Sequence, residues 1–426
     1  MTKVDDRGIV ATSERGRFGD GEGVRIALFY AALFLIYGVQ VPYLPVWLDW
    51  KGLSAAEVSI IAAAPFFVRV VATPVVSLLA DARGIHRGLV VAISALALVA
   101  ALLLTQVSGF WPILIVATVM MVSGSTVMPL AETVAVDAVR RKGLDYGRMR
   151  LWGSATFIVA SWIGGVAVER WGGGIAVWLL LVGAVATVLA AIALPKPATT
   201  HVAVRCRDDE PVAVEMAATQ GPRPSAVAAA SRLVRQPLFL VFLVAAGATQ
   251  ASHAMLYTFG ALHWRGQGIS AGWVGALWAI GVAVEIALFA WAKPIAARIG
   301  LMRLMMFGAV GCVVRWVALA LDPPLGVLVP LQVLHGLTYG ATHVAAIKFI
   351  ARAVPLAAAG TAQGLYATIA AGVGHGAATL AAGRLYPVYG GASYLAMAAL
   401  AAVGLVAAIQ LWRRWDETPL WRDETR

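Results

Sequence analysis

Charge is scarce in this sequence. Of 426 residues, 13% are Asp, Glu, Lys or Arg and 60% are hydrophobic, whereas ordinary soluble domains carry about 25% charged and about 45–50% apolar residues. With a mean hydropathy of +0.81, a water-soluble fold of this length lacks the polar surface to cover its apolar side chains, so that class is excluded. Cysteine is nearly absent as well. Cys206 stands in a polar stretch and Cys312 in an apolar one, so neither a disulfide framework nor a cysteine metal site is implied. Also missing are a phosphate-binding GxxxxGK[ST] loop, an HExxH motif and any polar domain long enough to hold an acid pair in water. No enzyme, cofactor or metal is expected. Residues 1–24 lack the short apolar core and small-residue cleavage site of a signal peptide, so that tail is expected to be retained.

What the chain does have is long apolar runs. A helix crossing a bilayer needs about 20 mostly apolar residues, and twelve such stretches lie near 25–48, 56–80, 88–107, 111–134, 150–168, 174–194, 237–260, 269–292, 304–321, 325–349, 362–383 and 391–412. Spans nine and ten are parted only by the turn Asp322-Pro323-Pro324. Open sheet cannot satisfy its backbone in lipid, and the runs are too long for barrel strands, so an all-α membrane protein follows. The Pro-, Ala- and charge-rich stretch 195–236 divides six spans from six. The expected organisation is a cytoplasmic tail (1–24), a six-helix bundle (25–194), a cytoplasmic linker (195–236), a second six-helix bundle (237–413) and a cytoplasmic C-terminal tail (414–426).

The surplus of 33 Lys and Arg over 22 Asp and Glu would suggest a nucleic-acid partner in a soluble protein. Sorted by side, it becomes topology. With both termini inside, 27 of the 33 fall on the cytoplasmic side; only Lys51, Arg170, Arg265 and Arg384 lie opposite, and Arg69 and Arg315 sit within spans. A multi-pass protein of a bacterial cytoplasmic (inner) membrane is expected, with no nucleic-acid partner. The halves also repeat. Gly84 and Arg87 in LLADARGIHRGLV match Gly300 and Arg303 in KPIAARIGLMRLM at an offset of 216 residues, as expected of two parallel six-helix halves. The same offset sets Arg69 on Glu285 and Glu132 on Lys348, opposite charges at equivalent depths.

A charge at a helix centre costs about 2.5–3.5 kcal/mol on insertion scales, so Arg69, Glu132, Arg150, Glu285 and Arg315 must face one another or a wet cavity. Structural ion pairs are the plain reading; convergence of both signs in both halves favours a transport site. Lys348 reads as a snorkelling residue near the cytoplasm. His253, His263, His335, His343 and His375 lie in or beside spans. His335 and His343, eight residues apart, fall on nearly one face of span ten and suit either proton chemistry or interhelical hydrogen bonding; His263 is placed at the outer surface. Tyr37, Gln40, Leu44 and Trp47 form one stripe of span one, and Gln250, His253 and Tyr257 form another on span seven. Burying that second stripe needs partners. Trp47 and Trp171 read as interfacial belt residues, and the run Gly372, Gly374, Gly376 as close helix packing.

Twelve spans in two sixes with ADARGIHR (80–87) after span two resemble the major facilitator superfamily. The resemblance narrows at DYGRMRLWGSATF (145–157), LWAIGVAVEIALF (277–289), VRW (314–316) and LHGLTYGATHVAAIKFIA (334–351), which look like the 3-phenylpropionate permease group, relatives of the lactose permease and nucleoside:proton symporters. It runs over nearly all spans and fails in the tail and the linker. It implies two pseudo-symmetric six-helix bundles, a cytoplasmic gate held through Asp81, Arg83, Gly84 and Arg87, a substrate grip by Glu132 and Arg150, and a proton-coupling network of Glu285, Arg315 and His335. One departure matters. Where the lactose permease pattern has a glutamate one turn after the histidine, this chain has Thr338, which directs the proton to Glu285, with His335 or His343 assisting. The glycine-proline cluster of drug exporters is missing from span five, which reads ASWIGGVAV (160–168).

The expectation is therefore a proton-coupled symporter that imports a small organic solute, best an aromatic monocarboxylate, by alternating access, as a monomer in the lipid bilayer. Gln40, Arg69, Glu132, Arg150, Gln250, His253 and Tyr257 are its candidate substrate contacts, with Arg69 as the carboxylate anchor because its fork binds bidentately; Glu285, Arg315, His335 and His343 carry the proton. Sugar or nucleoside symport, proton-driven export of an amphipathic compound, and a non-transporting membrane receptor are the alternatives.

Overall fold

A computed structural model describes residues 21–195 and 226–421. Most of the N-terminal tail, the linker from 196 to 225 with Cys206, and the last five residues lie outside the described residues.

Spans one to six are the helices Gly21–Trp50, Ala55–Arg83, His86–Leu104, Phe110–Lys142, Tyr146–Trp171 and Ile175–Ala193. Several run past their apolar stretch: span four continues two turns beyond its hydrophobic part to Arg140, Arg141 and Lys142, basic residues that suit a helix C-terminus. Pro42, Pro45, Pro65, Pro74 and Pro129 lie inside these helices without ending them, tolerated because neighbouring spans shelter the freed carbonyls. The turn after span one is fixed by a capping box between Ser54 and Glu57. The turn after span two uses Gly84 at φ 63, a left-handed position that suits glycine; its counterpart Gly300 is also at positive φ, 84.

The second half follows a short helix, Ala226–Val234. Span seven is Pro237–Gly266, interrupted at Ser252 and His253. Span eight is Ala271–Ala290, followed by a short helix Ala292–Ile299, and span nine is Leu301–Leu319. Spans ten (325–353) and eleven (356–389) each carry a π-turn, Gly336–Ala341 and Tyr366–Gly374, and Tyr394–Arg414 is span twelve. Ten helical stretches are long and apolar enough to cross a membrane among the described residues. One of these, Leu356–Arg414, holds spans eleven and twelve, folded at Gly390–Ser393. Span ten completes the twelve; Gln332, His335, Thr338 and His343 make it less apolar than the others.

The repeat extends to the packing. In the first half, span one packs on five and six, four on two and three, and three on six. In the second, seven packs on eleven and twelve, ten on eight and nine, and nine on twelve. Across the halves, five lies on eight and two on eleven. The fold is all-α, two six-helix bundles of one design. Trp47 differs from its reading as a belt residue: it is completely buried, whereas Trp171 is 65% exposed. Burial of Trp47 follows from its face of span one, which packs into the core rather than onto lipid. Gly376 lies against Phe67 and Gly372 against Val70, distances a larger residue would close, so the glycine run is a packing surface for span two.

Candidate functional site

Span one begins and span twelve finishes at one end of the bundle, the tail end; the opposite end is the far end. The halves are locked together at the far end. The fully buried Tyr43 hydroxyl points at two carbonyls, Ser161 O of its own half at 2.9 Å and Ala271 O of the other half at 3.2 Å, and the Glu169 carboxylate accepts from the Ala271 N–H that opens span eight. Gly165 and Gly275 make this approach possible: a Cβ on either would fall 2.2 Å from the Ala271 or Ser161 carbonyl oxygen. Toward the tail end the halves instead border cavities. One of about 790 Å³ is bounded by Tyr146, Arg150, Phe289, Ala292 and Lys348, residues at the tail ends of spans five, eight and ten.

Two further cavities lie deeper, of about 280 Å³ and about 380 Å³. Both are bounded by Phe66, Arg69, Tyr257 and His375, and Tyr257 borders the large cavity too, so the three form one cleft between the halves. Arg69 stands where the inner two meet. Its guanidinium lies 4.5 Å from the Phe66 ring, and its Nη2 donates to Ala371 O at 2.7 Å, a bond from first half to second. That carbonyl belongs to the π-turn Tyr366–Gly374, a geometry that departs from the regular i→i−4 ladder. No carboxylate lies within 4 Å of Arg69 among the described residues, and its remaining N–H donors are unclaimed.

A second polar group fills the neighbouring wall. Arg315 is completely buried, with no acidic neighbour within 4 Å among the described residues. Its Nη2 donates to Gln332 Oε1 at 2.7 Å, and its Nη1 lies 3.2 Å from both His335 Nδ1 and Thr338 Oγ1. Since Arg can only donate, His335 Nδ1 accepts, and the ring proton belongs on Nε2. That nitrogen faces Glu285 Oε2 at 3.6 Å. Thr338 extends the network to His253, whose Nε2 lies 3.2 Å from Thr338 Oγ1 while Nδ1 reaches Thr249 O and Gln250 O. Nδ1 therefore donates to carbonyl, and the single Thr338 hydroxyl proton has two acceptors, His253 Nε2 and His335 O at 3.3 Å.

The residues singled out from sequence thus fall into groups. Gln40, Arg69, Arg150, Gln250, Tyr257, Glu285, His335 and His343 line the cleft. His253 and Arg315 are completely buried behind it. Glu132 lies apart: it lines none of these cavities, and its Oε1 accepts from the Tyr146 hydroxyl at 3.4 Å. Glu132 and Arg150 form no ion pair with each other among the described residues; Arg150 stacks on Phe34 at 4.2 Å and Tyr30 at 5.3 Å. His263 is 9% exposed rather than at the surface, bonded to Asp322 at 2.8 Å. The gate residues stay within the first half. Asp81 accepts from His86 at 2.8 Å, Arg87 donates to Ile192 O and Leu194 O at the end of span six, and Arg83 is exposed. None of the four bonds to the second half among the described residues, as fits a cleft that is open at that end.

Tyr339 and His375 are among the cleft residues that had no role from sequence. Tyr339 stacks between His335 and His343, its centroid 5.6 Å from one ring and 6.3 Å from the other, interplanar angles 17° and 12°. The spacing His335, Tyr339, His343 is visible in the sequence, but the π-turn that brings the three rings into one stack is not. His375, tilted on Phe66 at 4.6 Å, was visible as a histidine in a span; its facing was not.

Comparison with known proteins places this geometry. A model of the MFS_1 like family matches residues 24–398. The chain belongs to that family. Among MFS relatives, it is 30% identical over 386 residues to the probable 3-phenylpropionic acid transporter of Escherichia coli (strain K12), covering 88% of this chain and 94% of that one. It is 28% identical over 390 residues to the maltose permease of Geobacillus stearothermophilus, covering 91% and 94%. Solved MFS structures share the fold: the nucleoside transporter NupG at a TM-score of 0.74 and 16% identity, covering 92% of this chain and 99% of that one, and an inward-facing, unoccupied bacterial homologue of the human lysosomal transporter Spinster at 0.70 and 15%, covering 92% and 98%. The protein is a multi-pass membrane transporter of the MFS type.

Proposed function

We propose that this transporter imports an aromatic monocarboxylate together with a proton, by alternating access. Arg69 carries the reading: an uncompensated guanidinium on a largely apolar cavity, placed at the contact between the halves. A carboxylate would satisfy both lone N–H edges through a charge-assisted fork, and Val41, Leu44, Leu48, Phe66 and Met121 around it offer a ring its contact surface. A cavity of about 280 Å³ sits at the small end of ligand sites, about 300–1,000 Å³, and suits a single-ring acid. The relative described as a 3-phenylpropionic acid transporter supports the same class.

The proton is assigned to Glu285. Arg315 occupies His335 Nδ1, so a second proton on that ring would set two donors against each other; the carboxylate opposite Nε2 is the acceptor left on the cleft. Thr338 relays hydrogen bonds where related carriers place a glutamate, and Glu285 on the facing span supplies the titrating group. Neutralising Glu285 frees His335 and lowers the cost of closing the cleft around it. His343, stacked through Tyr339, assists at the tail side. The surplus of Lys and Arg at the tail end supports cytoplasmic termini and an inward-open cleft, and the protein is read as a monomer in a bacterial cytoplasmic membrane. A sugar or nucleoside fits less well, because Glu132 lies off the cleft and Arg150 is stacked on aromatics. Uptake of labelled 3-phenylpropionate into proteoliposomes tests the reading: accumulation is expected only with an acid-outside gradient, and accumulation that survives a protonophore contradicts it.

A further inference from the structure

Gln40, Thr258 and Thr379 lie on the same cavity as Arg69, and none of them spends its polar group on another of the described residues. Gln40 is 9% exposed and Thr258 4%, and neither side chain has a hydrogen-bond partner among the described residues. Thr379 Oγ1 is buried and equally without one. Thr187, Thr249 and Thr342 each donate to the carbonyl four residues back, and Ser125 to Val122 O, while Tyr30, Ser94, Thr118, Ser393 and Tyr394 have buried hydroxyls without a partner among the described residues but border other parts of the fold. Buried polar groups are rarely left unpaired, because the missing bond is costly. Gln40, Thr258 and Thr379 differ from the other unpaired groups in that they come from spans one, seven and eleven, hence from both halves, and meet at one cavity.

Their depth can be read from the helices. The Phe66 and His375 rings, 4.6 Å apart, mark one level on antiparallel spans two and eleven. Arg69 is three residues from that level toward the tail end and Thr379 four residues toward the far end, so the two differ in depth by about 10 Å at 1.5 Å per residue. Gln40, ten residues before the end of span one, lies level with Pro65, between them. That distance is spanned by a carboxylate, a short carbon chain and a ring with a polar group on its outer edge. The outer pole offers an amide and two hydroxyls and no charged side chain, a set that both donates and accepts. It suits a neutral hydroxyl and leaves a second carboxylate or an ammonium without a counter-ion.

We propose that the preferred cargo is a hydroxyaryl acid, its carboxylate on Arg69 and its ring hydroxyl held by Gln40, Thr258 and Thr379. This rests on the reading of Arg69 as carboxylate anchor. A site built to bond a hydroxyl rejects the analogue lacking it, since its own groups are then left unpaired.

The test is isothermal titration of the purified full-length protein with 3-phenylpropionate and with its 2-, 3- and 4-hydroxyphenyl counterparts. At least one hydroxylated acid is expected to bind about tenfold or more tightly than the parent. The readout for Gln40→Leu and Thr379→Val is the ratio of the two affinities, which is expected to fall toward one; any binding of the parent acid shows that the variant is folded. If the parent binds wild type as tightly as every hydroxylated acid, or if both variants weaken parent and hydroxylated acids in equal proportion, the hydroxyl pole is wrong while the aromatic-acid reading stands. If none of the four acids binds, both readings fall.

Discussion

Arg69→Gln is the sharpest perturbation of the binding cleft. Arginine offers five N–H donors; one, on Nη2, is taken by Ala371 O, and the rest border the two inner cavities. A carboxylate on the free fork makes two charge-assisted bonds, worth about 1.5–3 kcal/mol each. Taking the lower figure for both gives about 3 kcal/mol, about a 100-fold loss of affinity. Arg69→Lys keeps the charge but loses the planar fork, so about tenfold is expected. Titration with 3-phenylpropionate and with its uncharged amide separates anchoring from shape. The amide is expected to bind wild type about 100-fold more weakly than the acid and to be nearly indifferent to Arg69→Gln. Binding of the acid by Arg69→Gln within threefold of wild type would refute the anchor. Equal loss of acid and amide would show that the substitution disturbed the Ala371 contact between the halves rather than a charge interaction.

Glu285→Gln mimics the protonated carboxyl, so counterflow exchange is expected to persist while uphill accumulation is lost; loss of both would move Glu285 from coupling to binding. Arg315→Leu should also abolish accumulation, because His335 Nδ1 loses its donor and the ring proton is no longer directed at Glu285; accumulation at the wild-type level would remove Arg315 from the coupling path. At the far end, Gly275→Ala drives a methyl into the Ser161 carbonyl and should hold that end apart. In a Gln40→Cys background, labelling by a membrane-impermeant maleimide from the far face is expected to rise several-fold, and unchanged labelling would show that the far-end contact is not the barrier.

The spans, their division into sixes and the repeat were legible because apolar runs and glycine-basic turns are one-dimensional patterns. The offset of 216 residues that set Arg69 on Glu285 picked out two residues that do line one cleft from opposite halves. They are not paired, however: Arg69 bonds a carbonyl and Glu285 faces His335. Facing was harder to read. Trp47 looked interfacial because it sits near the end of its span, yet its side of the helix turns to the core. Glu132 and Arg150 were set together by the family resemblance alone; Tyr146 and Phe34 give each a closer neighbour. The stack His335, Tyr339, His343 depends on a π-turn, whose backbone geometry leaves no mark in hydropathy. His375 was one of five histidines in or near spans, and its position on the cavity follows from how tightly Gly376 lets span eleven approach Phe67.

Coupled movement of acid and proton is the central claim, and it is measured directly by external pH. Proteoliposomes in weak buffer, with no imposed gradient, receive 3-phenylpropionate while the outside pH is followed. Because the neutral acid also crosses lipid unaided, the signal is the rate in excess of protein-free vesicles. Wild type is expected to alkalinise the outside in excess of that background, and Glu285→Gln to match the background. Wild-type vesicles that take up labelled acid with no excess pH change, or with acidification, would contradict proton symport.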